Sequence, residues 1–154
     1  MRVLVTGGSG FIGSHVVDKL KNRGVTVRIF DMLPPSHRTD IEHYHGSIMD
    51  LEALHMSMNK VDAVIHLAAI ADVREVLENP HHAEAINVRG TINVLEAMRR
   101  AGVTRLVYGS TTWVYSDAEH NKVDEDTPLK APAHFYSATK IAGEYYCRSY
   151  TELY

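Results

Sequence analysis

Val3-Leu4-Val5-Thr6-Gly7-Gly8-Ser9-Gly10-Phe11-Ile12-Gly13-Ser14-His15 decides the fold of this 154-residue chain. An apolar run ends in a glycine-rich turn, and an amphipathic segment begins at once. Gly7, Gly10 and Gly13 stand three residues apart, with Gly8 as a fourth glycine. Glycine accepts φ > 0 in a tight turn and offers no Cβ to block an approaching phosphate. A helix starting near Phe11 and Ile12 aims its unpaired N–H groups and positive dipole end at the same place. The spacing G-x-x-G-x-x-G differs from the G-x-G-x-x-G of ordinary dinucleotide folds, and alone it also fits a flexible turn. The context favours a phosphate cradle: a strand before, a helix after, and Asp31 closing the next apolar run.

Working outward, strands alternate with helices. Arg2 to Thr6 reads as a buried strand, and Phe11 to Asn22 as a helix with Ile12, Val16, Val17 and Leu20 on one stripe, stopped by Gly24. Val25 to Phe30 is a second strand ending at Asp31. Pro34-Pro35-Ser36 open a polar loop to about Ile41. A short third strand falls at His43 to Gly46, a helix capped by Asp50 runs to Met58, and Asp62 to Ala68 is a buried strand. A loop or short helix covers Asp72 to Glu78. Pro80 starts a long helix to Arg100, ended by Gly102. Thr104 to Tyr108 is a fifth strand, Ser116 to Ala133 a polar segment, and a last helix runs from about His134 to the terminus. This alternation implies a doubly wound α/β fold, Rossmann-like, with a parallel sheet in the order 3-2-1-4-5. The ligand is then expected above the strand C-termini, at the switch between strands 1 and 4.

Length and composition suit one domain over residues 1–154, with 45% apolar residues and a core of ordinary size. A net charge of −3 gives no reason to expect nucleic acid or an anionic membrane. No run is long enough to span a bilayer, and no signal peptide fits a chain whose first strand starts at Arg2 or Val3. The single cysteine, Cys147, excludes an internal disulfide, and the cytoplasm is the expected compartment.

Two constellations carry chemistry. Asp31 at a strand end can accept both hydroxyls of an adenosine ribose and would repel a 2′-phosphate, which favours NAD over NADP. A solvated loop-end aspartate is the plainer alternative. Tyr136 and Lys140 are four apart and share a helix face. An ammonium beside a phenol favours the phenolate and makes a general base usable near neutral pH. An exposed helix pair is the alternative, but Ser110-Thr111-Thr112 at the end of strand 5 adds hydroxyls able to bond the same substrate oxygen.

With these motifs assembled, the chain resembles the N-terminal part of an extended short-chain dehydrogenase/reductase, of the NAD-dependent nucleotide-sugar epimerase/dehydratase family. The motifs are Thr6 to Gly13, His66-Leu67-Ala68-Ala69, Asn87 to Ala97, Val114-Tyr115 and Tyr136 to Lys140. The resemblance implies that Tyr136 is the catalytic base, that Lys140 holds the nicotinamide ribose and tunes Tyr136, and that Thr111 fills the catalytic Ser/Thr place. Gly7, Gly10, Phe11, Ile12 and Gly13 would hold the pyrophosphate, Asp31 the ribose and Ile48 the adenine. Leu67, Ala68 and Ala69 would line the cofactor channel, and Asn87 would support the site. It further implies NAD as cofactor, a nucleotide sugar as substrate, C4 epimerisation through a 4-keto sugar, and a homodimer formed by the Pro80–Arg100 and last helices. A nucleotide-sugar oxidoreductase and an NAD-binding module without turnover are the alternatives.

Several positions depart from that pattern. Gly46-Ser47-Ile48 replaces the Gly-Asp-Ile/Leu found at the adenine, and Ala83 replaces a tyrosine three after Pro80. Thr112-Trp113 stand where dehydratases carry an Asp-Glu pair, which argues against water loss. Family members run about twice as long, the size of two-lobed enzymes. On that basis the sugar-binding lobe and a sixth strand would come from sequence after Tyr154, leaving Thr104 to Tyr108 at a sheet edge. No metal is expected, because His43, His45, His81 and His82 lack Cys or Glu at ligand spacing. His66 is expected to satisfy a strand end, and Cys147 to be an inert core thiol.

Overall fold

The computed structural model describes residues 1–36, 38–116 and 122–154. The polar segment expected at 116–133 therefore lies partly outside the described residues. Strands β1 (Arg2–Thr6), β2 (Thr26–Asp31), β3 (Glu42–His45), β4 (Ala63–His66) and β5 (Leu106–Tyr108) form one sheet in the order β3-β2-β1-β4-β5. Every pairing is parallel, with Thr6 opposite Phe30 on one side and His66 on the other. Alternation along β1 splits the core. Leu4 packs with Phe30, Val64 and residues of helices α2 (Leu51–Ser57) and α5 (Gly90–Ala101). Val3 and Val5 face the opposite way, against Val17 and Leu20 of α1 (Phe11–Asn22). Both faces of the sheet are thus covered, which is why β1 reads as a continuous apolar run. The expected architecture and strand order are those observed.

The boundaries differ for local reasons. β5 is three residues long, because Thr104 and Arg105 are exposed and only the Arg105 carbonyl joins the ladder, accepting from Val64 N–H. β5 is the sheet edge among the described residues, and Val107 is 61% exposed there. Residues 72–78 form a helix, α3 (Val73–Glu78), capped by Asp72, which accepts from the N–H groups of Arg74 and Glu75. Asp50 caps α2 as expected, accepting from Ala53 N–H at 3.0 Å.

The long helix expected from Pro80 to Arg100 is not continuous. It runs as α4 (Pro80–Glu84), a π-helical turn (Ala85–Arg89) and then α5. A π turn inserts one residue into the α ladder and swings its side chains out of register, a device frequent at functional sites. The side chain it redirects is Asn87. The last helix, α6 (Phe135–Leu153), packs beside α5 and the π turn. No helix among the described residues is long and apolar enough to cross a membrane.

Candidate active site

The glycine turn is built by steric necessity. Gly7 has φ +71°, and a Cβ on it would lie 2.6 Å from the Ala68 nitrogen, so only glycine lets the turn pass the end of β4. A Cβ on Gly13 would fall on the Gly7 carbonyl, so this glycine seats α1 against the turn. Gly10 is different: its Cβ would meet only the Gly7 oxygen, at 3.3 Å, and otherwise faces open space. It is the N-cap of α1, with no side-chain cap and no acidic residue in the first turn. The helix end therefore presents unpaired N–H groups and positive potential. The side chains of Phe11 and Ile12 point elsewhere, into a shallow groove on the outer surface of α1, so what they offer here is backbone N–H.

The turn opens onto a cleft of about 800 Å³ above the strand ends, where Gly7, Gly10, Asp31, Ile48, Leu67, Ala68 and Ala69 all contribute to the wall. Asp31 is fixed by two backbone donors, Ser9 N–H on Oδ2 and Leu33 N–H on Oδ1, each at 3.0 Å. A carboxylate accepts about four hydrogen bonds, so capacity for a ribose diol remains. Ser9 is a site residue that glycine spacing alone did not single out; its hydroxyl also donates to the Leu33 carbonyl at 2.6 Å. The next arginine after Asp31, Arg38, is engaged by Asp18 and Asp40. At the far wall, Ser47 Oγ accepts from Met49 N–H, and Asn93 donates to the Ile48 and Met49 carbonyls. Gly90 leaves room for Ile48, whose Cδ1 would be 2.5 Å from a Cβ there. An uncapped helix start beside a fixed carboxylate, on the wall of a mostly apolar cleft, fits a dinucleotide: pyrophosphate at one point, ribose at the other, base between apolar walls. No group of carboxylates, histidines and cysteine among the described residues could hold a metal ion.

Asn87 joins three elements. It accepts from Ile70 N–H at 2.8 Å, donates to the Ile70 carbonyl at 3.0 Å and donates to Thr139 Oγ1 at 3.1 Å. The π turn thereby ties the loop after β4 to α6. Next to it runs a buried polar chain. Thr91 Oγ1 donates to the Asn87 carbonyl at 2.7 Å, so it must accept from His66 Nε2–H at 3.0 Å. That fixes the tautomer, and Thr6 Oγ1 then donates to His66 Nδ1 at 2.6 Å. Burial, helped by the nearby Lys140 ammonium, holds the His66 imidazole down to about 3. His66 is neutral and structural, as its strand-end position suggests.

On α6, Tyr136, Lys140, Gly143 and Cys147 form the inward face. Thr111 caps a 3-10 turn (Thr112–Tyr115) that follows β5, accepting from Trp113 N–H, and Ser137 Oγ donates to the Trp113 carbonyl, joining this turn to α6. The proposed trio thus sits on two linked elements beside β5. Trp113 stacks edge-on with His134 and stays 43% exposed. Burial dominates the Tyr136 phenol here and pushes its pKa up. The Lys140 ammonium lies over the Tyr108 ring, 4.2 Å from its centroid. Sharing a helix face brings two side chains near, and a ring on the neighbouring strand lies against the charge. Burial also lowers Lys140, to about 8.

A family model described as the NAD dependent epimerase/dehydratase family matches residues 3–154. A putative UDP-glucose 4-epimerase of Methanocaldococcus jannaschii is 39% identical over 99% of this chain and 52% of its own length. The UDP-glucose 4-epimerase of Lactobacillus helveticus is 38% identical over 94% of this chain and 45% of its own. Among solved structures, the UDP-glucose 4-epimerase of Thermus thermophilus in complex with NAD superposes with a TM-score of 0.90 at 35% identity. It is matched over 100% of this chain and 52% of its own. The chain spans about half the length of the curated relatives it matches.

Proposed function

The chain belongs to the NAD dependent epimerase/dehydratase family, and from that premise we propose that residues 1–154 are the NAD-binding unit of a cytoplasmic nucleotide-sugar 4-epimerase. The observation that carries the reading is the uncapped start of α1 beside the fixed Asp31 carboxylate on the wall of one cleft. The N–H groups of Phe11, Ile12 and Gly13 would hold the pyrophosphate, and Asp31 the adenosine ribose, disfavouring a 2′-phosphate. Gly7, Gly10, Leu67, Ala68 and Ala69 keep the channel narrow, and Ile48 packs at the adenine end. Bound NAD supplies the acceptor and donor of hydride at C4 of the sugar.

The chain's own residues handle the proton. Tyr136 takes the C4 hydroxyl proton as that carbon is oxidised and returns it after the keto sugar presents its other face. A phenol pushed up by burial holds its proton at neutral pH, so Tyr136 needs a positive charge to act as base. Lys140, one turn along α6, provides it. Thr111 steadies the same oxygen, and Asn87 fixes α6 relative to the channel. Thr112-Trp113 supply no acid–base pair for dehydration.

UDP-glucose is the substrate to test first, since UDP-glucose 4-epimerases recur among the relatives. Incubation of residues 1–154 with UDP-glucose and NAD should yield little or no UDP-galactose, whereas a protein of the relatives' full length carrying these residues should yield it and lose it in Tyr136→Phe. NADH binding with no conversion by either would leave the chain a cofactor-binding module. The second face of α6, with Tyr146 38% and Leu153 69% exposed, supports a homodimer, which light scattering at micromolar concentration tests.

A further inference from the structure

The Lys140 side chain is almost wholly buried, its residue 3% exposed. A buried ammonium needs a counter-charge or strong dipoles. Among the described residues no carboxylate forms an ion pair with it. Glu144, one turn along α6, raises its pKa from a distance, and the Glu144 carboxylate is taken by the Ser110 hydroxyl. The remaining groups that act on it are Cys147 on α6, the neutral His66 on β4, and Tyr108 on β5. Tyr108 lies against the ammonium with its ring face.

We propose that Tyr108 is a positioning residue for Lys140: its ring face holds the ammonium between β5 and α6, and so sets where the charge stands relative to the Tyr136 hydroxyl. The inference rests on the reading of Lys140 as a working residue of the site. Three features show a built seat. The Lys140 ammonium is 4.2 Å from the ring centroid, within the range of a cation–π contact, which strengthens when desolvated. The Tyr108 hydroxyl donates to the Lys140 backbone carbonyl at 3.4 Å, so the ring is registered on the same residue it holds. α6 carries Gly143 opposite that hydroxyl, where any Cβ would fall on it. On its other side the ring lies against His66, centroids 5.7 Å apart. Burial keeps that imidazole neutral, and the chain from Thr6 through His66 and Thr91 to the Asn87 carbonyl fixes its orientation. A cationic His66 would compete for the same ring. The neutral His66 therefore leaves the Tyr108 face free for Lys140.

The test separates the ring from the hydroxyl. Lysine labelled with 13C at Cε, with the Lys140 signal assigned by its loss in Lys140→Met, is titrated by NMR. Wild type should titrate near 8. Tyr108→Phe keeps the ring face and should stay within about half a pH unit of wild type. Tyr108→Leu removes it and should shift the titration down by at least about one unit, a tenfold change in protonation. NADH affinity should follow: within about twofold for Phe, at least about tenfold weaker for Leu. If the Leu variant fails to fold by circular dichroism, Tyr108→Met fills the seat without a π face and takes its place. An unshifted titration in the Leu or Met variant overturns the proposal, since lost packing alone would not spare the lysine its ring. The titration needs neither cofactor nor turnover, so a chain that bound no NADH would refute the proposed function and leave this arm decisive.

Discussion

Lowering the pH from 7 to 5 should destabilise this chain through one residue, His66. Its imidazole is fully enclosed, accepts from Thr6 and donates to Thr91, and is held down to about 3 by burial first and the Lys140 charge second. In the unfolded chain it titrates at its ordinary 6.5. The folded pKa is depressed, so stability is fully present above 6.5 and is lost as pH falls towards 3. At pH 5 the unfolded imidazole is protonated about 30:1 while the folded one stays neutral, which costs about 2 kcal/mol relative to pH 7. Other shifted groups titrate outside this window. Asp40 and Glu96, held down by Arg38 and Arg99, respond at lower pH, and Lys140, near 8, at higher. In urea the midpoint of unfolding should fall by about 1 M between pH 7 and pH 5. His66→Gln, which cannot titrate, should be less stable at pH 7 but lose most of that slope. Equal slopes in wild type and variant would refute the assignment of a neutral, enclosed His66.

The glycines should separate by role. Gly13→Ala puts a Cβ on the Gly7 carbonyl and should unfold the turn, seen as a large loss of thermal stability, whereas a Cβ on Gly10 meets only the Gly7 oxygen, at 3.3 Å, and Gly10→Val should cost about 1 kcal/mol. Gly10→Val should nonetheless weaken NADH binding at least about tenfold, because its side chain stands where the pyrophosphate approaches. Asn87→Ala should cost about 3 kcal/mol in urea unfolding, since it strands Ile70 N–H and carbonyl and takes a donor from Thr139 Oγ1, which keeps only its bond to the Tyr136 carbonyl. A loss below about 1 kcal/mol would mean that water replaces the amide without penalty.

Much of this was legible in the sequence because one constraint dominates each feature. A strand buried on both faces must be apolar throughout, and a turn that passes another backbone must be glycine. The alternation of strands and helices therefore announced the sheet order, and Thr6 to Gly13 the cleft. The π turn at Ala85–Arg89 was not legible, since the helical stripe of Ile86, Ile92, Val94 and Leu95 continues through it; what opens the ladder is the three-way bonding of Asn87, a tertiary effect. The short β5 was overcalled because Thr104 and Arg105 look strand-like but point to solvent. At the site, spacing placed Tyr136 and Lys140 on one face. It carried no information about Tyr108, whose ring comes from a different strand and draws the ammonium to itself.

The central claim is that the cleft lined by the start of α1 and Asp31 holds NAD. Fluorescence titration of NADH and of NADPH into the same protein tests it most directly. The account predicts saturable NADH binding at least about tenfold tighter than NADPH, with the gap narrowed in Asp31→Ala, where the charge opposing a 2′-phosphate is gone. Equal or tighter NADPH binding, or NADH binding unchanged by Asp31→Ala, would contradict it.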